Sequence, residues 1–328
     1  MDGKVLALAG GVGGAKLALG LARALPPDRL TPDRLTIVVN TGDDECFHGL
    51  HVSPDLDTVM YTLAGLSNTE TGWGLAGETF HALEMLGRYG AETWFGLGDR
   101  DLATHIRRTQ LLREGMSLSE VTAELAGCLG IAGQDGPQIV PQIAPLIVPM
   151  SDQPVRTVLE TDAGDLPMQQ YFVKHGSQPQ VRAIRYEGAE DALPSPSFAR
   201  ALEQAAMVVL CPSNPFLSLG PILAIPGVRE SLAAVPKKVA VSPIIGGAAL
   251  RGPAAKIMAE LGYPATCVGV ARQYQGICDY FLLDQQDVGL APEIEELGMT
   301  PLVAPIIMES DEDKVALANY ILSLPELK

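Results

Sequence analysis

Ten residues into the chain stands Gly10-Gly11-Val12-Gly13-Gly14-Ala15-Lys16, four glycines around a valine with a lysine at the end. Glycine lets a backbone approach phosphate oxygens closely, and a helix amino terminus offers unpaired amides and a favourable dipole. The pattern predicts that Gly11, Val12, Gly13 and Gly14 contact a phosphate and that Lys16 faces the same anion. It is not GxGxxG, because Lys16 stands where the third glycine would fall. Nor is it a P-loop, which needs four residues between its first glycine and Gly-Lys. The competing reading is a tight strand-to-helix turn with no ligand.

A second constellation is Asn40-Thr41-Gly42-Asp43-Asp44, followed by Ser53-Pro54-Asp55-Leu56-Asp57-Thr58. Carboxylates from two adjacent loops suit Mg²⁺, which takes one or two of them and completes its octahedron with water and phosphate. Against this, Asp55 can cap the helix it precedes. His48 and His51 lie between the two groups and are read as loop structure or substrate contacts, not metal ligands.

Further along, Gly96-Leu97-Gly98-Asp99-Arg100-Asp101 leads to His105, Arg107 and Arg108, with Arg100 or Arg107 suited to clamping a carboxylate or phosphate. The bland alternative is a salt-bridged helix start. Cys211-Pro212-Ser213-Asn214-Pro215, with Ser218, puts polar groups after an apolar run, which suggests hydrogen bonds to a base or ribose. Ser242-Pro243-Ile244-Ile245-Gly246-Gly247 repeats that theme.

These residues need a framework, and the remaining pattern supplies one. Residues 4–9 are an apolar run, 15–25 have helical leucine spacing, and 36–40 (TIVVN) are β-branched, together the opening of a doubly wound α/β domain. Helices are predicted over 56–66, 75–89, 102–114, 117–129, 221–234, 254–261 and 314–324. Ser117 with Glu120 forms a cap for the fourth of these. Strands are predicted over 94–97, 207–211, 239–242, 266–270, 280–283 and 301–307. The proline-rich 138–150 reads as an edge or loop. Short pieces at 157–159, 171–173 and 181–184 suggest an inserted mixed subdomain. The expected organisation is a Rossmann-like parallel-sheet core of 1–135 and 200–328, interrupted by a smaller mixed α/β subdomain at 136–199. The tandem PDRLT at 27–36 lengthens a surface loop at little cost.

Bulk properties narrow the class. The 328 residues are 47% hydrophobic and 19% charged, a composition that folds. The net charge of −16 argues against nucleic acid or anionic membrane as partner, and favours a metal to offset the field around an anionic substrate. Five scattered cysteines without a CxxC pair point to a reducing cytoplasm. No signal peptide is evident at the start. The uncharged stretch 206–228 has membrane-spanning length, but its four prolines favour a buried strand, a loop and a short helix.

Six blocks, GGVGGAK at 10–16, NTGDD at 40–44, HGLHVSPDLDTVMYTLAG at 48–65, WFGLGDRDLATH at 94–105, PSNPFLSLGPIL at 212–223 and SPIIGG at 242–247, occur in one order. Together they resemble the 2-phospho-L-lactate transferase family of coenzyme F420 biosynthesis. The PDRLT tandem and the Ile-Val-Pro-rich stretch depart from the family pattern as loop extensions. The resemblance implies a guanosine diphosphate-linked three-carbon acid as donor, the deazaflavin Fo as acceptor and GMP as leaving group. It implies Mg²⁺ on Asp44 and Asp57, with Asp43 or Asp57 orienting or deprotonating the Fo hydroxyl. Gly11–Gly14 would lie near the phosphates and Ser213 and Asn214 near the nucleotide. Asn40, His48, Asp55, Asp99, Ser218 and Ser242 are further expected binding residues, and Arg100 an expected catalytic one. Trp94, Phe95 and Tyr61 are candidates to stack the deazaflavin. A homodimer is expected from the apolar surplus. The competing class is a nucleotide-sugar-binding regulator of the same fold, and a dehydrogenase is disfavoured because no acidic residue ends TIVVN.

Overall fold

A computed structural model describes residues 3–25, 34–131, 145–249 and 252–325. The strands among the described residues are β1 (Lys4–Ala9), β2 (Leu35–Val39), β3 (Glu45–Phe47), β4 (Leu50–Val52), β5 (Leu146–Pro149), β6 (Arg156–Thr161), β7 (Gly164–Pro167), β8 (Val181–Glu187), β9 (Ala205–Leu210), β10 (Lys237–Val241), β11 (Ile244–Ile245), β12 (Ala248–Ala249), β13 (Tyr280–Leu283) and β14 (Thr300–Val303). Between them run α1 (Gly11–Ala24), α2 (Pro54–Leu63), α3 (His81–Arg88), α4 (Asp101–Arg113), α5 (Leu118–Cys128), α6 (Pro196–Gln204), α7 (Leu219–Ala224), α8 (Val228–Ala233), α9 (Ala254–Glu260), α10 (Cys267–Gln273), α11 (Ala291–Glu296) and α12 (Asp311–Ser323).

Seven parallel strands form one sheet in the order β14-β13-β10-β9-β1-β2-β5. The chain runs outward from β1 through β2 to β5, then crosses back to β9 and runs outward the other way. The topological switch point therefore lies between β1 and β9. In open α/β sheets the crevice beyond the carboxyl ends of the strands at that point binds ligands.

Strand alternation sorts the core into two layers. Val5, Ala7 and Ala9 of β1 pack with α1, α2 and α12 on one face, while Leu6 and Leu8 pack with α6, α7 and α10 on the other. Both faces being covered explains why these strands are nearly continuous apolar runs. Between β5 and α6 the chain builds a separate antiparallel sheet, ordered β7-β6-β8. β5 itself, although within 136–199, completes the edge of the large sheet.

Several expected elements differ. Residues 75–80 do not join α3, because Gly72, Gly74 and Gly77 hold positive φ and keep the preceding segment in turns. Residues 94–97 form no strand; Phe95 is instead stacked on Phe47 at 4.0 Å, with Trp94 edge-on at 5.3 Å. The expected strand at 266–270 is instead the start of α10, since Thr266 accepts a hydrogen bond from the Gly269 amide and so caps the helix. Gly227, at φ 78°, splits the expected 221–234 helix into α7 and α8. Residues 171–173 lie in a single π-helical turn, Gln170–Lys174. The predicted Ser117–Glu120 capping box is present. The 206–228 stretch is strand, loop and short helix, and among the described residues no helix is long and apolar enough to cross a membrane. The PDRLT tandem up to residue 33, and 138–144, lie outside the described residues.

Candidate active site

The first turn of α1 begins directly at the end of β1, so the glycine block is a helix terminus, not a loop. Four amides there, of Gly10, Gly11, Val12 and Gly13, have no intrahelical acceptor by α-helical geometry. The protein itself satisfies two. Gly10 N–H donates to Ser213 Oγ at 3.2 Å, and Gly11 N–H donates to Asp55 Oδ1 at 2.7 Å. Val12 and Gly13 remain, and both line a cavity of about 1010 Å³ at the switch point. Lys16 lines it too, its Nζ donating to the Met308 carbonyl at 2.7 Å.

The glycines are also dictated by packing. A Cβ on Gly13 would lie 2.2 Å from the Pro212 carbonyl oxygen, and one on Gly10 would lie 2.6 Å from Ser218 Cβ. Gly11 takes a positive φ of 62°. The loop after β9 is thus locked against the turn after β1. Ser213 serves this lock, because its hydroxyl also donates to the Gly10 carbonyl at 2.8 Å. Asn214 Oδ1 accepts from the Phe216 and Leu217 amides at 2.9 and 3.1 Å. Both side chains thus brace this loop, and both residues line the cavity.

Facing the glycines is the carboxylate cluster. Asn40 is fully buried at the end of β2, and its amide nitrogen donates to Asp43 Oδ1 at 3.1 Å and Asp55 Oδ2 at 2.9 Å. Asp43 Oδ2 accepts from Gln169 Nε2 at 2.9 Å. Burial, then the charges of Asp55 and Asp44, push the Asp43 carboxyl well above the ordinary range. Burial likewise raises Asp55 to about 6, the Asn40 and Gly11 hydrogen bonds opposing it. Asp44 is raised mainly by burial, although His51 at 3.0 Å and Ser53 at 2.7 Å both bond its Oδ2. Its Oδ1 is buried without a partner. Crowded oxygen ligands, raised carboxyls and an orphaned carboxylate oxygen fit a hard divalent cation such as Mg²⁺.

Asp57 has a different neighbour. Arg108, wholly buried, forks onto both its oxygens, Nη1 to Oδ2 at 3.1 Å and Nη2 to Oδ1. His105 Nδ1 lies 3.3 Å from Arg108 Nη1 and its Nε2 lies 3.2 Å from Asp101 Oδ2. Since guanidinium can only donate, His105 Nδ1 accepts and Nε2 carries the proton. Tyr61 donates to Asp101 Oδ1 at 2.6 Å. Burial works to raise the Asp101 carboxyl, but His105 and Tyr61 outweigh it and hold it low. Asp57, Asp101 and His105 lie close enough to share an ion, yet the guanidinium already lies beside Asp57 and His105.

Of the residues singled out by sequence, Gly11, Val12, Gly13, Lys16, Asp43, Asp55, Asp57, Ser213, Asn214, Ser218 and Ser242 line this one cavity. Gly14 packs behind it, where a Cβ would meet Ser213 Oγ at 2.7 Å; Asn40 bonds the lining residues Asp43 and Asp55, and the half-buried Asp44 follows Asp43 in the chain. Four others are placed elsewhere. His48, at φ 52°, makes the turn between β3 and β4. Asp99 accepts from the His81 and Ala82 amides at 3.0 and 2.9 Å, so it starts α3. Arg100 donates to the Ala76 carbonyl at 2.7 Å, which ties down the glycine-rich segment before α3. Trp94 is taken up by Phe47, Phe95 and the Lys174 ammonium 5.4 Å from its ring. Sequence reasoning missed Trp73, Gln169, Phe172 and Val173 on the cavity wall, and the Arg108 fork. Arg108 and Asp57 are 51 residues apart, and nothing local announces a π-turn.

Fold and site define a doubly wound α/β protein with a glycine- and carboxylate-lined cleft at its switch point. The sequence matches the family described as 2-phospho-L-lactate transferase CofD over residues 5–296, and the chain belongs to that family of transferases. A phosphoenolpyruvate transferase of Streptomyces griseus is 42% identical, with 98% of each chain covered. A 2-phospho-L-lactate transferase of Methanosarcina acetivorans is 39% identical, again with 98% of each covered. A crystal structure of a member of the UPF0052 family from Bacillus halodurans superposes with a TM-score of 0.64, covering 98% of this chain and 100% of that one. At 14% identity, that likeness speaks to the fold alone.

Proposed function

We propose that this protein transfers a phosphorylated three-carbon acid from a guanosine diphosphate-linked donor to a hydroxyl of the deazaflavin Fo, releasing GMP, in coenzyme F420 biosynthesis. The carrying observation is that Val12 and Gly13, whose amides helical geometry leaves without an intrahelical acceptor, line one cavity together with Asp43. Relatives named for 2-phospholactate and for phosphoenolpyruvate both align over nearly the whole chain, which supports the acid class.

In this reading the Fo hydroxyl oxygen bonds to the phosphorus that carries the acid. The phosphorus–oxygen bond to GMP breaks, and its electron pair leaves with GMP. Val12 and Gly13 amides and Lys16 hold the diphosphate. Asp43 takes the hydroxyl proton; it is preferred over Asp57 because neutral amides bond Asp43 whereas a guanidinium forks onto Asp57, and a carboxylate paired to guanidinium is a weaker base. Asp44, through its unpartnered Oδ1, would hold Mg²⁺, with Asp57 joining it only by giving up part of its Arg108 fork; the ion would supply positive charge beside the diphosphate. Trp73, Phe95, Phe172 and Val173 give the cavity an apolar side suited to a planar ring. The proposal includes a cytoplasmic homodimer. Five free cysteines and the exposed Phe80, Met85 and Tyr89 around α3 support those two points.

Fo fluorescence should change on titration with the protein. An unchanged signal, together with thermal stabilisation by a UDP-sugar and not by guanosine nucleotide, would favour a regulatory nucleotide-sugar binder instead.

A further inference from the structure

The antiparallel β7-β6-β8 unit touches the aspartate turn in two places. The Thr157 amide of β6 donates to the Gly42 carbonyl at 2.6 Å. Gly42 has no room for a side chain there, since a Cβ would lie 2.8 Å from Thr157 Oγ1 and from Pro221. The second contact is Gln169, buried where β7 gives way to the π-helical turn, whose Nε2 reaches Asp43 Oδ2 at 2.9 Å. Asp43 Oδ1 is already held by Asn40 from the large sheet. Its carboxylate is thus gripped at one oxygen by each sheet, and two amide donors fix its plane.

A π-turn costs hydrogen-bond geometry, and such turns recur at functional sites. Here it places the buried Gln169 at one end and Lys174, bonded to Glu92 at 2.8 Å, at the other, with Phe172 and Val173 on the cavity between them. From this arrangement we infer that Gln169 is a positioning residue, which aims the Asp43 carboxylate at the acceptor hydroxyl by holding its Oδ2. The inference rests on the reading that Asp43 acts on that hydroxyl. Partners that orient a reacting carboxylate or ligand from behind commonly matter by about 10–100-fold in activity.

The test is steady-state kinetics of Gln169→Leu and Gln169→Met, each with its melting temperature, beside Asp43→Asn. Gln169→Met keeps the length of the side chain but not the donor, and serves where Gln169→Leu folds poorly. The expected result is folded protein whose kcat falls about tenfold or more while donor KM stays within about twofold. A kcat within twofold of wild type in the folded variants would overturn the inference. So would a KM rise at unchanged kcat, which would make Gln169 a substrate contact. Asp43→Asn separates the two claims: full turnover in that variant removes the role of Asp43, whereas an inactive Asp43→Asn beside unaffected Gln169 variants removes only the role of Gln169.

Discussion

At the residue scale the site is a problem of crowded negative charge, solved in two ways. Around Asp57 the solution is built in, since Arg108 brings a permanent cation from α4; removing one member of such a buried pair typically costs about 3–5 kcal/mol. Asp43, Asp44 and Asp55 are instead bonded by amides, a hydroxyl and one imidazole, with Arg108 acting on Asp44 only through space. That difference predicts a pH-dependent metal effect. Asp55, at about 6, lies above its unfolded value of about 4, so the folded protein holds the extra proton between those pH values. Metal-free stability should then fall as pH rises through that window. Above it the carboxylates are ionised and a cation relieves them. Thermal denaturation should show Mg²⁺ raising the melting temperature at pH 7.5 and doing little at pH 5, where protons compete. An equal increment at both pH values would contradict the metal assignment.

At the element scale, what sequence revealed and what it hid have clear causes. Strand, glycines and helix at 4–24 were legible because apolar run and periodicity are local signals. So was the placement of NTGDD at the end of β2. The reason for the glycines was only half legible: besides opening amides to a ligand they admit Pro212 and Ser218 from more than 190 residues away. Residues 94–97 and 266–270 show the limit of short apolar runs, whose pairing depends on what the rest of the chain offers. Arg100, Asp99 and His48 carried chemistry-bearing side chains that the fold spends on turns and caps. Gly13→Ala should therefore fail on both counts. Its methyl would meet the Pro212 carbonyl, and the displaced β9 loop would spoil the amide cradle. The expected outcome is a lowered melting temperature together with loss of donor affinity. A normal melting temperature with wild-type KM would show that the lock between the two loops is dispensable.

At the scale of the whole molecule, a chain of net charge −16 takes an anionic donor only where local groups reverse the field. In the proposed reading the amides at the start of α1 and Lys16 do this at the switch point, and a cation is called for because the aspartate turn after β2 adds negative charge beside them. Doubly wound architecture was foreseeable from the alternation of strands and helices, whereas the contribution of β7-β6-β8 to the cavity wall was not, because it rests on Gln169 reaching Asp43 across 126 residues. The most direct test of the account is to incubate the protein with Fo, Mg²⁺ and each guanylylated acid in turn, and to analyse the mixture by mass. The account predicts one acid, or a small set, giving Fo esterified through phosphate to that acid, with GMP formed in equal amount. GMP formed without any coupled Fo product, or no product from any of the three acids, would contradict it.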